Sequence, residues 1–274
     1  MSLESLSLLL VGGGKMGGAL LDGWRAMGLD PARARVVEPD PATARALSAR
    51  GGVAAVPSPE HLPTDFAPEV IILAVKPQMM AKVAPDYGGM ARPGTLVVSV
   101  AAGIPRASLA GWLGDRAHIV RAMPNTPAAV GRGITVACCP GLEDKSRALV
   151  QQLLEAVGEV AWVEDEGLMD AVTAVSGSGP AYVFHLAEAL AEAGAKAGLP
   201  AEVAARLARV TVAGAGELLH QSPDSPATLR TNVTSPGGTT AAGLEVLMDA
   251  ERGLARLLED TVAAAARRSR ELAG

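Results

Sequence analysis

The chain has 274 residues, of which 49% are apolar and 19% charged, and its formal net charge is −5. That length supports one large or two modest domains with a full core, and the acidic balance leaves no basic stripe to hold a nucleic-acid backbone. The longest apolar stretches, Leu8–Val11, Val70–Val75 and Leu96–Ile104, fall well short of a bilayer span, which argues against a membrane segment.

Taken in chain order, Ser5–Val11 is a short apolar run ending in a glycine cluster, the pattern of a buried parallel strand. Ala19, Leu20, Leu21 and Trp24 then mark a helix that stops near Gly28. Arg35–Glu38 reads as a second strand and Pro41–Arg50 as a second helix. Val70–Val75 is the clearest strand and is ended by Pro77; Thr95–Val100, His118–Ala122 and Gly133–Ala137 follow as strands. Leu142–Val157 has helical length and periodicity. The alternation predicts an α/β Rossmann domain, a doubly wound parallel sheet, over residues 1–163.

Beyond Val163 the strand pattern ends. Ala/Leu/Glu-rich segments take over at Asp165–Ser176, Ala181–Ala197, Ala201–His220 and Glu251–Glu271, with Gly198-Leu199-Pro200 as a stop-and-restart signal. Val203, Leu207, Val210, Gly214 and Leu218 form an apolar stripe, and the opposite face, with Ala205, Val212 and Ala213, is scarcely polar. A helix apolar nearly all round must be enclosed, so residues 164–274 are expected to be an all-α domain that dimerises.

Cys138 and Cys139 are adjacent, which is neither a CxxC redox motif nor a zinc spacing. His61, His118, His185 and His220 are scattered. No metal is expected. No basic segment leads into an apolar run with a small-residue cleavage site, so the expected address is cytoplasmic.

Gly12-Gly13-Gly14-Lys15-Met16-Gly17 fits GxGxxG directly after a strand and at the start of a helix. In that setting Gly12 permits the tight turn, Gly14 the approach of a pyrophosphate and Gly17 close helix–strand packing, with the amides of Lys15 and Met16 at the helix start. A flexible turn is the rival reading. Glu38 ends the second strand about twenty residues later, where a carboxylate accepts from the ribose of NAD and repels the 2′-phosphate of NADP. A solvent-exposed strand end reads equally well. Ala74-Val75-Lys76-Pro77 closes a strong strand at the edge where such sheets bind ligands, so Lys76 is a candidate cofactor contact or else a surface lysine. In Ala122-Met123-Pro124-Asn125-Thr126-Pro127, the Asn125 amide is suited to ribose or nicotinamide.

Near the C-terminus stand Leu229, Asn232-Val233-Thr234-Ser235-Pro236-Gly237-Gly238-Thr239-Thr240, Gly243-Leu244 and Leu247-Met248-Asp249. This block resembles the signature of the pyrroline-5-carboxylate reductases. Ala74–Pro77, Met123–Pro127 and Val175-Ser176-Gly177-Ser178-Gly179-Pro180-Ala181-Tyr182 resemble the same family, so the match spans the chain. The resemblance implies NAD(P)H-dependent reduction of 1-pyrroline-5-carboxylate in proline biosynthesis. It also implies an intertwined homodimer, assembled in some members into a larger ring, with substrate near Ser235–Thr240 against a cofactor that can come from the other subunit. Glu38 is a departure, because the family more often uses NADPH.

The residues themselves agree. Pro236-Gly237-Gly238 before the helical run Thr239–Met248 is a bare helix start, whose free amides suit a small carboxylate. Gly237, Gly238, Thr239 and Thr240 are the substrate-binding candidates, Ser235 and Thr240 the catalytic ones, with Thr240 towards the ring nitrogen. Ordinary capping by Ser235 and Thr239 competes for the side-chain roles. Ser176 belongs to a glycine-rich turn that either borders the substrate or simply lets helices pack closely. An imine protonated before it binds needs positioning more than a strong acid, consistent with the lack of an obvious catalytic His or Lys. A 3-hydroxyacid-type dehydrogenase would need a lysine base soon after the Gly179-Pro180 segment, yet Lys196 is remote. A dinucleotide-binding redox sensor without turnover would leave the 235–240 loop without a purpose.

Overall fold

The computed structural model describes residues 3–273. Eight strands form one sheet: β1 Leu8–Val11, β2 Ala34–Val37, β3 Ala54–Val56, β4 Val70–Leu73, β5 Leu96–Ser99, β6 His118–Met123, β7 Gly133–Cys138 and β8 Gly158–Val163. Across the sheet their order is β3-β2-β1-β4-β5-β6-β7-β8. Strands β1 to β6 pair in parallel, whereas β7 runs antiparallel to β6 and β8 parallel to β7. The departure from a wholly parallel sheet has a local cause: only residues 124–132 separate β6 from β7, too few for a crossover helix.

The helices are α1 Lys15–Ala26, α2 Pro41–Gly51, α3 Pro77–Val83, α4 Arg106–Leu113, α5 Asp144–Glu155, α6 Met169–Val172, α7 Gly179–Lys196, α8 Ala201–Gln221, α9 Pro226–Asn232, α10 Thr239–Leu247 and α11 Leu254–Ala273. Three are absent from the sequence reading, α3, α4 and α9, each of eight residues or fewer and so too short to show a convincing period. Strands β3 and β8 also escaped it, β3 because it has only three residues and β8 because its half-exposed residues do not form an apolar run. The expected helix over Asp165–Ser176 is broken into pieces: a 3₁₀ turn Glu166–Leu168, α6, and a π-helical turn Thr173–Gly177.

Alternate residues of the central strands feed opposite faces of the sheet. Leu8, Leu10, Val70 and Ile72 join Leu20, Trp24 and Leu153 on one side, and Leu9, Val11, Ile71 and Leu73 join Met80, Tyr87 and Leu109 on the other. Each fully buried aliphatic side chain contributes about 1.5–3 kcal/mol. The fully buried Trp24 indole is satisfied by donating to the Leu153 carbonyl at 2.7 Å.

The chain divides into two compact units. One runs to Gly177 and takes in the segment from Ala266 onward; the other is Ser178–Ala265. In the second unit α7 and α8 pack on each other through small residues: a Cβ on Gly194 would lie 3.3 Å from that of Ala204. Gly198, at φ +102, turns the chain between them. Ala204 and Ala208 are buried there, while Phe184, Leu207 and Val210 are 65%, 51% and 62% exposed. No helix among the described residues is long and apolar enough to cross a membrane.

Candidate functional site: the glycine edge and the 235–240 loop

Strands β1 and β4 are neighbours whose crossovers leave in opposite directions, so their carboxyl ends frame the switch point of the sheet. Gly12 follows β1 there with φ +94, and a Cβ on it would press on the Ala74 carbonyl at 2.8 Å and on the Val75 side chain at 3.1 Å. A Cβ on Gly17 would collide with the Gly12 carbonyl, whereas one on Gly14 would meet nothing within 4 Å. The three positions thus divide into a turn, an open approach and a tight contact. Gly14 is also the N-cap of α1 and supplies no side-chain cap, so the amides of Lys15, Met16 and Gly17 have no intrahelical partner. These features fit a dinucleotide pyrophosphate.

Glu38 faces the glycine loop. Its Oε2 accepts from the Gly13 amide at 2.7 Å and its Oε1 from the Asp40 amide at 2.9 Å. The carboxylate is therefore fastened into the edge rather than left as a free strand-end residue. Ala74 and Val75 are half-buried beside Gly12, and Lys76 is exposed as the N-cap of α3, with Pro77 as its first residue. Asn125 is already partly committed, since its Oδ1 accepts from the Ile134 amide at 2.9 Å. Of the expected capacity to accept and donate, the NH₂ group is the uncommitted part.

In the same unit, Arg121 lies on β6 with only 7% of its side chain exposed, and its Nη1 is 3.2 Å from Glu166 Oε1. The same Oε1 accepts from the Arg106 amide at 2.8 Å. Arg106 in turn donates through Nε to the Ile119 carbonyl at 2.8 Å and contacts Cys139 Sγ at 3.7 Å through Nη2. Sequence reading missed this group, although one arginine inside the apolar strand HIVRAM was its signal: a buried guanidinium requires a partner. Two residues beyond Arg121, Met123 sits under the π turn, where a Cβ on Gly177 would come within 2.5 Å of Met123 Cε. Ser176, on that turn, is half-buried and donates to the Val172 carbonyl at 3.0 Å.

The 235–240 loop belongs to the second unit. The Gly238 amide donates to the Ser235 carbonyl at 3.0 Å, closing a turn with Pro236 and Gly237 at its centre; Gly237 has φ +69. Proline followed by a positive-φ glycine is the chemistry of a type II turn. Gly238 is then the N-cap of α10, with no side-chain cap, so neither Ser235 nor Thr239 fills the ordinary capping role. The amides of Thr239, Thr240 and Ala241 are left without an intrahelical partner, and Ser235, Thr239 and Thr240 are exposed. A separate open depression of about 530 Å³ is lined by Arg230, Thr231, Thr234 and Glu245 among others, not by Ser235–Thr240.

His185 is exposed and pairs with Glu188 at 3.2 Å, and Lys196 is the last residue of α7. Burial pushes both the Cys138 and Cys139 thiols up from their ordinary value of 9.0, away from the reactive thiolate. Among the described residues no three His, Cys, Asp or Glu side chains gather as a metal site.

Residues 166–272 match the family model described as pyrroline-5-carboxylate reductase dimerisation, and residues 7–103 match that of a coenzyme F420-dependent NADP oxidoreductase. A pyrroline-5-carboxylate reductase of Pseudomonas aeruginosa is 40% identical over 272 residues, covering 97% of this chain and 96% of its own. That of Arabidopsis thaliana is 40% identical over 272 residues, covering 98% and 96%. Among solved structures, a pyrroline-5-carboxylate reductase from Coxiella burnetii superposes with a TM-score of 0.90 at 34% identity, covering 98% of this chain and 99% of the other. One from Plasmodium falciparum, with NADP bound, gives 0.79 at 29% identity, covering 99% of each. With relatives this similar over nearly its whole length, joined to the glycine edge and the bare helix start at Gly238, the chain belongs to the pyrroline-5-carboxylate reductase family.

Proposed function

We propose that this chain reduces 1-pyrroline-5-carboxylate to L-proline with a nicotinamide dinucleotide. The observation that carries the reading is the uncapped start of α10, where three unpaired amides, at Thr239, Thr240 and Ala241, follow a glycine turn. They bind the substrate carboxylate, aided by the positive end of the helix. Ser235 holds the turn through its carbonyl, Gly237 and Gly238 keep the approach clear, and Ser176 borders the substrate. Thr240 contacts the ring nitrogen through its hydroxyl.

The bound reduced dinucleotide supplies the hydride that reaches the imine carbon. The proton on nitrogen comes with the substrate, because a cyclic imine is protonated near neutral pH. The chain's own task is then to hold the ring in one orientation and exclude alternatives, which lowers the barrier without a strong protein acid. We assign residues 1–163 to dinucleotide binding, through Gly12, Gly14, Lys15, Met16, Gly17, Glu38, Ala74, Val75, Lys76, Pro77 and Asn125. Residues 164–274 carry substrate binding and self-association as a homodimer able to build a larger ring. A cytoplasmic address suits this reading. Loss of reduced-nicotinamide absorbance that depends on added 1-pyrroline-5-carboxylate, with proline as product, tests it; dinucleotide binding without turnover would refute it.

Glu38 favours NADH at the ribose position, with NADPH as the second coenzyme. Replacing it should have two effects. Glu38→Ser removes the charge that repels a 2′-phosphate, so the activity ratio moves towards NADPH. It also frees the Gly13 and Asp40 amides, so absolute affinity falls with both coenzymes. A wild-type protein that strongly prefers NADPH, with an unchanged ratio in Glu38→Ser, would contradict the assignment.

A further inference from the structure

We infer that Arg121 and Glu166 are positioning residues that fix the Met123–Asn125 strand end against the turn carrying Ser176, an inference that rests on the reading above of where cofactor and substrate bind. Four observations converge on it. The Arg121 side chain is almost fully buried between Val120 and Ala122 of its strand and meets a carboxylate at 3.2 Å. That carboxylate opens the irregular run from Glu166 to Gly177 and ties it to α4 as well, by accepting the Arg106 amide on the same oxygen. Both tethered segments continue directly to proposed site residues: β6, through Met123, to Asn125, and the Glu166 run to Ser176. The segments also touch, since the Met123 methyl lies where a Cβ on Gly177 would point, 2.5 Å from it.

The irregularity of the run is what makes the tether matter. A continuous α-helix would hold Ser176 by its own hydrogen bonds, but here a 3₁₀ turn, one turn of α-helix and a π turn follow one another. A segment of mixed pitch needs an external fixed point, and the guanidinium–carboxylate contact supplies a directional one. Apolar packing around Met123 fills space without setting register. A charge pair is used here because geometry, not net stability, is what it delivers. Misplacing a reacting group by about 1 Å can cost about 10²-fold in rate.

The test compares wild type with Glu166→Gln, Arg121→Lys and the double variant Arg121→Met/Glu166→Gln, using purified full-length protein. The double variant leaves no unpaired charge buried and keeps an acceptor for the Arg106 amide, so it folds even where Arg121→Met alone does not. Thermal midpoints, dinucleotide Kd and steady-state constants for 1-pyrroline-5-carboxylate are measured on the same preparations. The expected result is a double variant with a wild-type thermal midpoint and dinucleotide Kd within about twofold, but kcat lower by about tenfold to a hundredfold. Arg121→Lys, which keeps the charge but loses the fork, falls between. A folded double variant with wild-type kcat overturns the inference, and so does a kcat loss matched by an equal loss of dinucleotide affinity, which would mark a general loosening of the nucleotide edge. If wild type itself fails to reduce 1-pyrroline-5-carboxylate, the functional reading fails instead.

Discussion

The two units of this chain satisfy their apolar residues in opposite ways. In the first, β1 and β4 are buried along their whole length and their side chains are consumed by helices on both faces of the sheet. In the second, buried side chains are nearly confined to Ala204 and Ala208, while Phe184, Leu190, Leu207, Val210 and Leu218 stand between 45% and 65% exposed. The first unit contains the burial it needs. The second exposes a run of large apolar side chains of the kind that marks an interaction surface. The match of residues 166–272 to a dimerisation family points to self-association through this unit.

That contrast orders the expected effects of substitution. The largest belongs to the exposed stripe of α8. Val210→Asp should bury an unpaired carboxylate in the dimer at a cost of about 3–5 kcal/mol, so sedimentation should show dissociated or aggregated protein without activity. A Val210→Asp protein with normal mass and activity would show that α8 faces water. Next comes the proposed substrate turn. A Cβ on Gly238 would sit 3.1 Å from the Ser235 carbonyl, so Gly238→Leu should raise KM for 1-pyrroline-5-carboxylate by about tenfold or more, with dinucleotide binding unchanged. Thr240→Ala follows, as the loss of one neutral hydroxyl contact worth about 0.5–1.5 kcal/mol. Its kcat should drop roughly three- to tenfold, and a fall beyond about a hundredfold would make Thr240 a general acid instead.

The smallest effect is confined to the first unit and is one of pH. Burial raises the Cys138 and Cys139 thiols from 9.0 and the Tyr87 phenol from 10.0. Above those ordinary values the unfolded chain releases protons that the folded chain keeps, so it binds fewer protons and unfolding is favoured as pH rises. The stabilisation is complete below pH 9.0 and is lost as pH climbs towards the raised folded values. Denaturant titrations across that range should show falling stability of the sheet-based unit; a flat profile would mean these groups are hydrated.

The same contrast explains what could be read from sequence. Strands β1 and β4 were legible because burial on both faces leaves an unbroken apolar run, and Gly12 and Gly17 because each must be bare for a separate steric reason. The bare start of α10 was legible from Pro236-Gly237-Gly238, whose turn chemistry is local. Beyond the elements too short to show a period, what escaped depends on residues distant in sequence. Strand β8 exists because β7 offers it an edge, and the reversal of β7 follows from loop length rather than pattern. Glu38 gave away its place but not its bond to the Gly13 amide, which only the fold creates. Arg121 and Glu166 are separated by 45 residues, and no periodicity links them.

One experiment confronts the dependence of the second unit on a partner: light scattering on the purified chain at micromolar concentration, with 1-pyrroline-5-carboxylate reduction assayed on the same sample. The account predicts a dimer or a multiple of it that carries all the activity. A monodisperse monomer that reduces the substrate at full rate would contradict it.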